Sequence, residues 1–284
     1  VMAANTTAVT VSYSEGGVTK MTTTPVTVTS ISNTLASNSW ATIRAVSDAG
    51  KGSNYWSVGD VKGITINGKV GATTISNLSI SVFILGFNHN ASREGSNRIH
   101  FQIGKINGTL VGLVDGNYSN YTSTTGAFTM NTSYTNSGGW NNSHMRKTVL
   151  GSNSASATSP AANTLLAALP ADLRAVMKPA TKYSDNTGGG SDNASYVTST
   201  TDLLPLLSEF EYHGARSYAN SAEKNYQAQY DYYRAGNSKV HYRHNATGTA
   251  ALCGAVPSVR ATAAISALSP PTAAPSVTAP AIPG

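Results

Sequence analysis

Ile64-Thr65-Ile66-Asn67-Gly68-Lys69-Val70 is the stretch on which the fold turns. Ile64, Ile66 and Val70 fall on alternate positions, the period of a strand with one buried face. Asn-Gly tolerates the positive φ angles of a type I′ turn, so the stretch predicts a β-hairpin with its turn at Asn67-Gly68. Downstream, Val82 to Phe87 and Ile99 to Ile103 are strand-length apolar runs and read as buried strands. Upstream, Thr10-Val11-Ser12-Tyr13 and Val26-Thr27-Val28-Thr29-Ser30-Ile31 alternate apolar with polar residues around a Glu15-Gly16-Gly17 turn. These read as half-buried strands of a β leader, residues 1–39, packed on a partner or on the next domain. Trp40-Ala41-Thr42-Ile43 opens a short helix or strand that Asp48-Ala49-Gly50 stops. Residues 40–135 are thus expected to form a β-rich domain, with a loop from Asn131 to Asn142.

From residue 136 the pattern becomes mixed. Asn163 is a candidate cap for a helix holding Leu165, Leu166 and Leu169. Pro170 suits the first turn of a second helix with Leu173, Val176 and Met177. Asp185 to Ser191 reads as a flexible loop. Leu203-Leu204-Pro205-Leu206-Leu207 is an apolar run whose proline favours an edge or bulge. Ser221 is placed to cap a third helix with Tyr226, Tyr230 and Tyr233 on one core-facing stripe, ended by Gly236. Residues 136–252 therefore read as an α+β domain. Residues 253–284, rich in Ala, Pro, Ser and Thr with one base, Arg260, read as an extended tail that cannot offset its ordering entropy by burial. The fold class is α+β and β-rich.

Composition narrows the function. The chain has 284 residues and only 11% charged side chains, against about 25% in an ordinary soluble domain. A net charge of +6, spread over many turns, gives no dense nucleic-acid patch. No run reaches the roughly 18 apolar residues of a membrane helix, so no membrane insertion is expected. The one cysteine, Cys253, permits neither an intrachain disulfide nor a cysteine zinc site.

Candidate chemistry is sparse. His241 and His244 have metal-like spacing, but Val240 to His244 alternates as a strand, which points them to opposite faces; solvent-facing histidines and no metal are expected. Glu209 and Glu211 could form an acid–base pair as in glycosidases. A helix start capped by Ser208 explains them as well. No nucleophile elbow and no phosphate loop occur. Neither a catalytic residue nor a cofactor is assigned. The better clue is aromatic: Tyr118, Tyr121, Tyr134 and Trp140 lie among Asn, Ser, Thr and Gly. Rigid amphipathic rings beside adaptable hydrogen-bonding groups suit recognition loops, including loops that hold carbohydrate.

Longer strings carry a resemblance. Ser53-Asn54-Tyr55-Trp56-Ser57-Val58-Gly59-Asp60, Phe83-Ile84-Leu85-Gly86-Phe87-Asn88-His89-Asn90 and Asn97-Arg98-Ile99-His100-Phe101-Gln102 resemble a family of phage- and prophage-encoded proteins of Gram-positive gut bacteria. Gly138-Gly139-Trp140, Leu169-Pro170-Ala171-Asp172-Leu173 and Thr201 to Glu211 are similar to its C-terminal domain of unknown function. The resemblance covers roughly residues 40–252. It implies a virion or tail-associated protein with a C-type-lectin-like C-terminal domain displaying a variable, host-facing surface. The expected partners are other virion proteins, further copies of the chain and a host surface carbohydrate. The expected function is non-enzymatic; a pure capsid or tail scaffold and a cell-wall or glycan hydrolase are the alternatives.

The chain departs from the family after Ala250-Ala251-Leu252, where the family continues with a Trp-x-Arg-Ser-Pro type motif. Here the chain reads Cys253-Gly254-Ala255-Val256-Pro257, and codons for Leu252-Cys253-Gly254-Ala255-Val256, read one base earlier, permit a Trp-Cys-Arg-Ser reading. The tail is therefore expected to be an out-of-frame continuation. Three-frame reading of the encoding nucleotides checks this: absence of Trp-x-Arg-Ser codons there refutes it.

Overall fold

The computed structural model describes residues 5–28, 30–113, 127–133, 135–188, 192–216, 219–244, 250–251 and 264–265. Among these it is a mixed α/β structure with more strand than helix. The expected tail, residues 253–284, lies outside the described residues apart from 264–265.

The chain opens with a hairpin of two 11-residue strands, β1 (Asn5–Glu15) and β2 (Val18–Val28), in unbroken antiparallel register. Gly16 and Gly17 turn it with φ of 58° and 80°, the two positive angles of a type I′ turn. The turn and β1 are as read from the sequence, but β2 begins at Val18 and ends at Val28, short of the expected Ile31, and the expected half-burial is absent: every side chain from Thr10 to Thr23 is exposed. The pairing puts Val11, Tyr13 and Val18 on one face and Met21 on the other. The leader also ends before residue 39. Leu35 is buried, and the Trp56 indole donates to the Ser32 carbonyl at 3.0 Å, so residues 31–39 belong to the body.

Helix α1 (Trp40–Asp48) is capped by the Ser39 hydroxyl, which accepts from the Thr42 N–H at 3.0 Å. Its Trp40, Ile43 and Val46 turn inward. After α2 (Gly52–Tyr55) come β3 (Val61–Val70) and β4 (Thr73–Phe87). The expected hairpin is present, but its turn is Gly71-Ala72 rather than Asn67-Gly68. A turn at 67–68 would pair Thr65 with Val70 and send Val70 to the solvent face. Burial of Ile64, Ile66, Val70, Ile75 and Ile80 selects the longer hairpin. Asn67-Gly68 instead lies inside β3, opposite a bulge in β4 where Asn77 takes φ 46° and donates its N–H to the Asn67 side chain at 3.2 Å.

From Val82 to Gly86, β4 is buried on both faces. Val82 and Ile84 join the main core, while Phe83 and Leu85 join a second cluster with Tyr212, Tyr230, Tyr232 and Tyr233. Helix α3 (Ala91–Glu94) leads into β5 (Ile99–Ile106), followed by β6 (Thr109–Gly112). Then come α4 (Gly139–Asn142), a π turn at Met145–Val149, α5 (Leu165–Ala168) and α6 (Ala171–Arg174). Strands β7 (Ala180–Asp185) and β8 (Val197–Asp202) form a separate antiparallel pair. Helices α7 (Glu209–His213) and α8 (Asp231–Arg234) precede β9 (His241–Arg243), which pairs parallel to β6. Two-residue strands β10 (Ala250–Ala251) and β11 (Ala264–Ile265) pair with β9 and β5. The sheet runs β10-β9-β6-β5-β4-β3, with β11 on β5. The expected boundary at 135/136 thus separates no cores: the sheet takes strands from both sides of it, and one core runs from Leu35 to Leu206.

Three further expectations change. Thr164, not Asn163, caps α5, through the Ala167 N–H; Asn163 is left-handed and its carbonyl accepts from Gly71. Leu203 to Leu206 is buried coil after β8, not an edge strand, and Leu207 is half-buried. The tyrosine stripe is not one helix: Ser221–Asn225 is a 3₁₀ turn capped by Asn220, and α8 begins after Tyr230. Tyr230 and Tyr233 are core residues all the same, and Tyr226 stacks on Tyr183.

Gly71 has φ 57°, and a β-carbon there would stand 3.1 Å from that of Ala127. Gly71→Val is expected to destabilise the protein by about 2 kcal/mol or more. Asn67→Ala, losing one exposed hydrogen bond, is expected to cost about 1 kcal/mol or less. Urea unfolding of both variants checks the turn assignment.

Candidate functional site

Of the four residues singled out as ligand-binding, Tyr118, Tyr121 and Tyr134 lie outside the described residues. Trp140 is fully buried, which corrects its assignment to a recognition surface. Its indole N–H donates to Asp202 at 3.0 Å. Asp202 also accepts from Arg146 Nε at 2.7 Å, Ser152 Oγ at 3.1 Å and Thr200 Oγ1 at 2.6 Å. Trp140 thus helps to satisfy a buried carboxylate that ties α4, the π turn and β8 together.

A second polar centre lies where α3, β7 and α7 meet. Inward positions of β7 alternate as Ala180, Lys182 and Ser184, so the strand's own period carries Lys182 inside. Its ammonium donates to Glu94 Oε1 and, at 2.6 Å, to Glu211 Oε1, and all three side chains are at most 1% exposed. Glu211 is also the third residue of α7 and closes a capping box with Ser208. That bears out the capped helix start, while Glu209 points elsewhere and accepts from the Ala219 N–H at 2.7 Å. The sequence reading of a Glu209/Glu211 pair is therefore corrected: each carboxylate has its own donors.

Around the triad, the Tyr230 hydroxyl lies 3.4 Å from Lys182 Nζ and 3.1 Å from His100 Nδ1. The His89 ring stacks on Tyr230 with centroids 3.5 Å apart. His89 Nε2 is 3.9 Å from Glu211, and His100 Nδ1 is 3.8 Å from Glu94. Neither contact is an ion pair. Burial, helped by the Lys182 charge, drives His89 down to about 2, and burial holds His100 well below its ordinary range. Burial raises Glu94 to about 7 against the opposing pull of Lys182. Farther out, burial raises Glu223 to about 8, although it accepts from the Asp185 N–H at 2.8 Å and Gln227 Nε2 at 3.0 Å.

His241 was expected at the surface and is instead fully buried, lowered by burial to about 4. Gln102 Nε2 lies 3.2 Å from its Nε2, and Tyr233 donates to Gln102 Oε1 at 2.7 Å. The β reading of this segment holds, since His241 stands in β9.

His89, Glu94 and Glu211 each bring one ligand atom within 4.8 Å of the others, a grouping able to hold a metal ion. Lys182 already contributes a cation between the two carboxylates. Lys182, Glu94 and His89 escaped the sequence reading. The available signal was a lysine at an inward position of an alternating strand.

A separate open groove of about 570 Å³ is lined by Ser39, Trp40, Lys62, Thr65, Asn67, Ser79 and Asp172 among others. Lys62 donates to the Asn38 carbonyl at 2.7 Å and stands 5.4 Å from the centre of the Trp40 ring. Hydroxyls and an amide on β3 and β4 line the rest.

No family model, no curated protein and no solved structure matches this chain.

Two predictions follow from the buried groups. Below pH 6.5 the unfolded chain protonates His89, His100 and His241 while the folded chain does not, so stability falls with pH toward the folded values of about 2 for His89 and about 4 for His241. Above pH 4.5 the unfolded carboxyls ionise while Glu94 and Glu223 stay protonated to about 7 and about 8, so stability falls as pH rises through that window. Three imidazoles outweigh two carboxyls between 4.5 and 6.5, which places the maximum near pH 6.5; a melting series across pH 4 to 9 checks it. Asp202→Ala strands buried Arg146 and is expected to cost about 3–5 kcal/mol, read by denaturant unfolding.

Proposed function

We propose that this chain is a non-enzymatic structural protein of a phage particle, tail-associated or surface-decorating, which docks on other virion proteins and on copies of itself. The observation that carries this reading is the β1–β2 hairpin. It extends for 11 residue pairs with Val11, Tyr13 and Val18 each more than 60% exposed on one face. A lone two-stranded hairpin is marginal in water, and three exposed apolar side chains set among Glu15, Lys20 and Thr22 on one face suit a surface that is covered on assembly. Support for the phage setting and for a C-type-lectin-like arrangement of residues 136–252 comes from the sequence strings that resemble the phage family. A host glycan is a second ligand, favoured by the hydroxyl- and amide-lined groove beside Trp40.

The reading predicts self-association of the full chain in analytical ultracentrifugation at micromolar concentration. The Val11→Lys/Tyr13→Lys/Val18→Lys triple variant should be monomeric, with its melting temperature unchanged. A wild-type monomer throughout that range refutes the homotypic contact. Mass spectrometry of induced phage particles tests the virion assignment. Glycan-array binding that is lost in Asn67→Ala separates an adhesin from a pure scaffold, and clearing of host cell walls in zymograms would favour the hydrolase instead.

A further inference from the structure

We propose that Lys182 and Glu94 become joined by an intramolecular isopeptide bond, with Glu211 as the proton acceptor. The three groups come from α3, β7 and α7, and the fold holds them together without solvent. The Lys182 ammonium is hydrogen bonded to Glu94 Oε1, so its nitrogen is held against the Glu94 carboxyl group, and a small rotation of that carboxyl is all that attack on its carbon requires. Glu211 Oε1 is 2.6 Å from the same nitrogen, within reach to take its proton.

The balance of the reaction closes within these groups. Glu211 takes one proton from the Lys182 ammonium, and the freed amine attacks Cδ of the neutral Glu94 carboxyl. The C–N bond forms, a second proton passes from nitrogen to a Glu94 oxygen, and the C–O bond breaks to release water. The products are an amide, one water and a protonated Glu211. Nothing is oxidised or reduced, and no co-reactant is needed.

Three further observations favour the bond over a plain ion pair. Burial raises Glu94 to about 7, so a sizeable share of it carries the proton, the electrophilic form of a carboxyl, at neutral pH. Among the described residues Glu94 Oε2 is buried without a hydrogen-bond partner, so only Oε1 has a donor to stabilise the anion. The reaction also removes the ammonium and its counter-charge from a site less than 2% exposed, where both carry a desolvation penalty. A metal ion on His89, Glu94 and Glu211 is the competing use of the cluster, and it would have to displace Lys182.

Intact-mass measurement of the folded full chain decides the matter. The expected mass is one water below that of the sequence, and tryptic digestion should give a branched peptide joining the segments of Glu94 and Lys182. Lys182→Arg should show its full sequence mass. Glu211→Gln keeps a capping-box residue but loses the base, so it should also remain at full mass or lag well behind wild type. The crosslinked protein should lose the contribution of Glu94 to the alkaline limb of its stability profile. Wild-type protein that folds and stays at full sequence mass after days at pH 7 overturns the proposal. So does stoichiometric zinc or manganese bound to wild type and lost in His89→Ala. Should the variants fail to fold, the wild-type mass alone still decides.

Discussion

A buried ammonium must be surrounded before the chain around it can settle. Lys182 carries its charge into the interior on the inward face of β7, and the fold answers with Glu94 from α3 and Glu211 from α7. Those helices have only four and five residues. Segments so short do not persist as helices alone, so they take their form from what they pack against. The triad is one of the contacts that give them a reason to meet. Its cost is high if any partner is missing, because the remaining charge is then buried alone.

The low charge count of the chain has a structural counterpart. Glu94, Asp185, Asp202, Glu209, Glu211 and Glu223 are all buried, six of the 13 acidic residues. Each works as an acceptor for specific donors: Asp202 for Trp140, Arg146, Ser152 and Thr200, Glu223 for Asp185 and Gln227. Tyrosine hydroxyls extend these networks across the second face of β4, where Phe83 and Leu85 supply the apolar part. The surface is left to hydroxyls, amides and most of the basic residues.

What could be read in the sequence was what depends on neighbours along the chain. Period-2 alternation found β1, part of β2 and β3, apolar runs of strand length found β4 and β5, Gly16-Gly17 marked a true turn, and Ser208 marked a true helix start. Errors arose where distant residues decide. Asn67-Gly68 is a good local turn that loses to the burial of Val70 and Ile75 half a hairpin away. Tyr226, Tyr230 and Tyr233 have helical spacing, yet the backbone breaks there because the Tyr230 N–H pairs with the Glu211 carbonyl. Trp140 looked like a loop aromatic because nothing near it announces Asp202. The triad was invisible for the same reason: residues 94, 182 and 211 become neighbours only in three dimensions.

The parallel pairing of β6 with β9 bears on the order in which the molecule assembles. Val111 meets Tyr242 across a loop of about 130 residues, whereas β3 and β4 meet across two. Loop-closure entropy favours the near pair, so the β3–β4 hairpin is available as an early nucleus and the β9 edge of the sheet closes late. During synthesis the β6 edge is therefore exposed until the chain has been made as far as residue 243. That interval, rather than the finished fold, is when an unpaired strand can find the wrong partner.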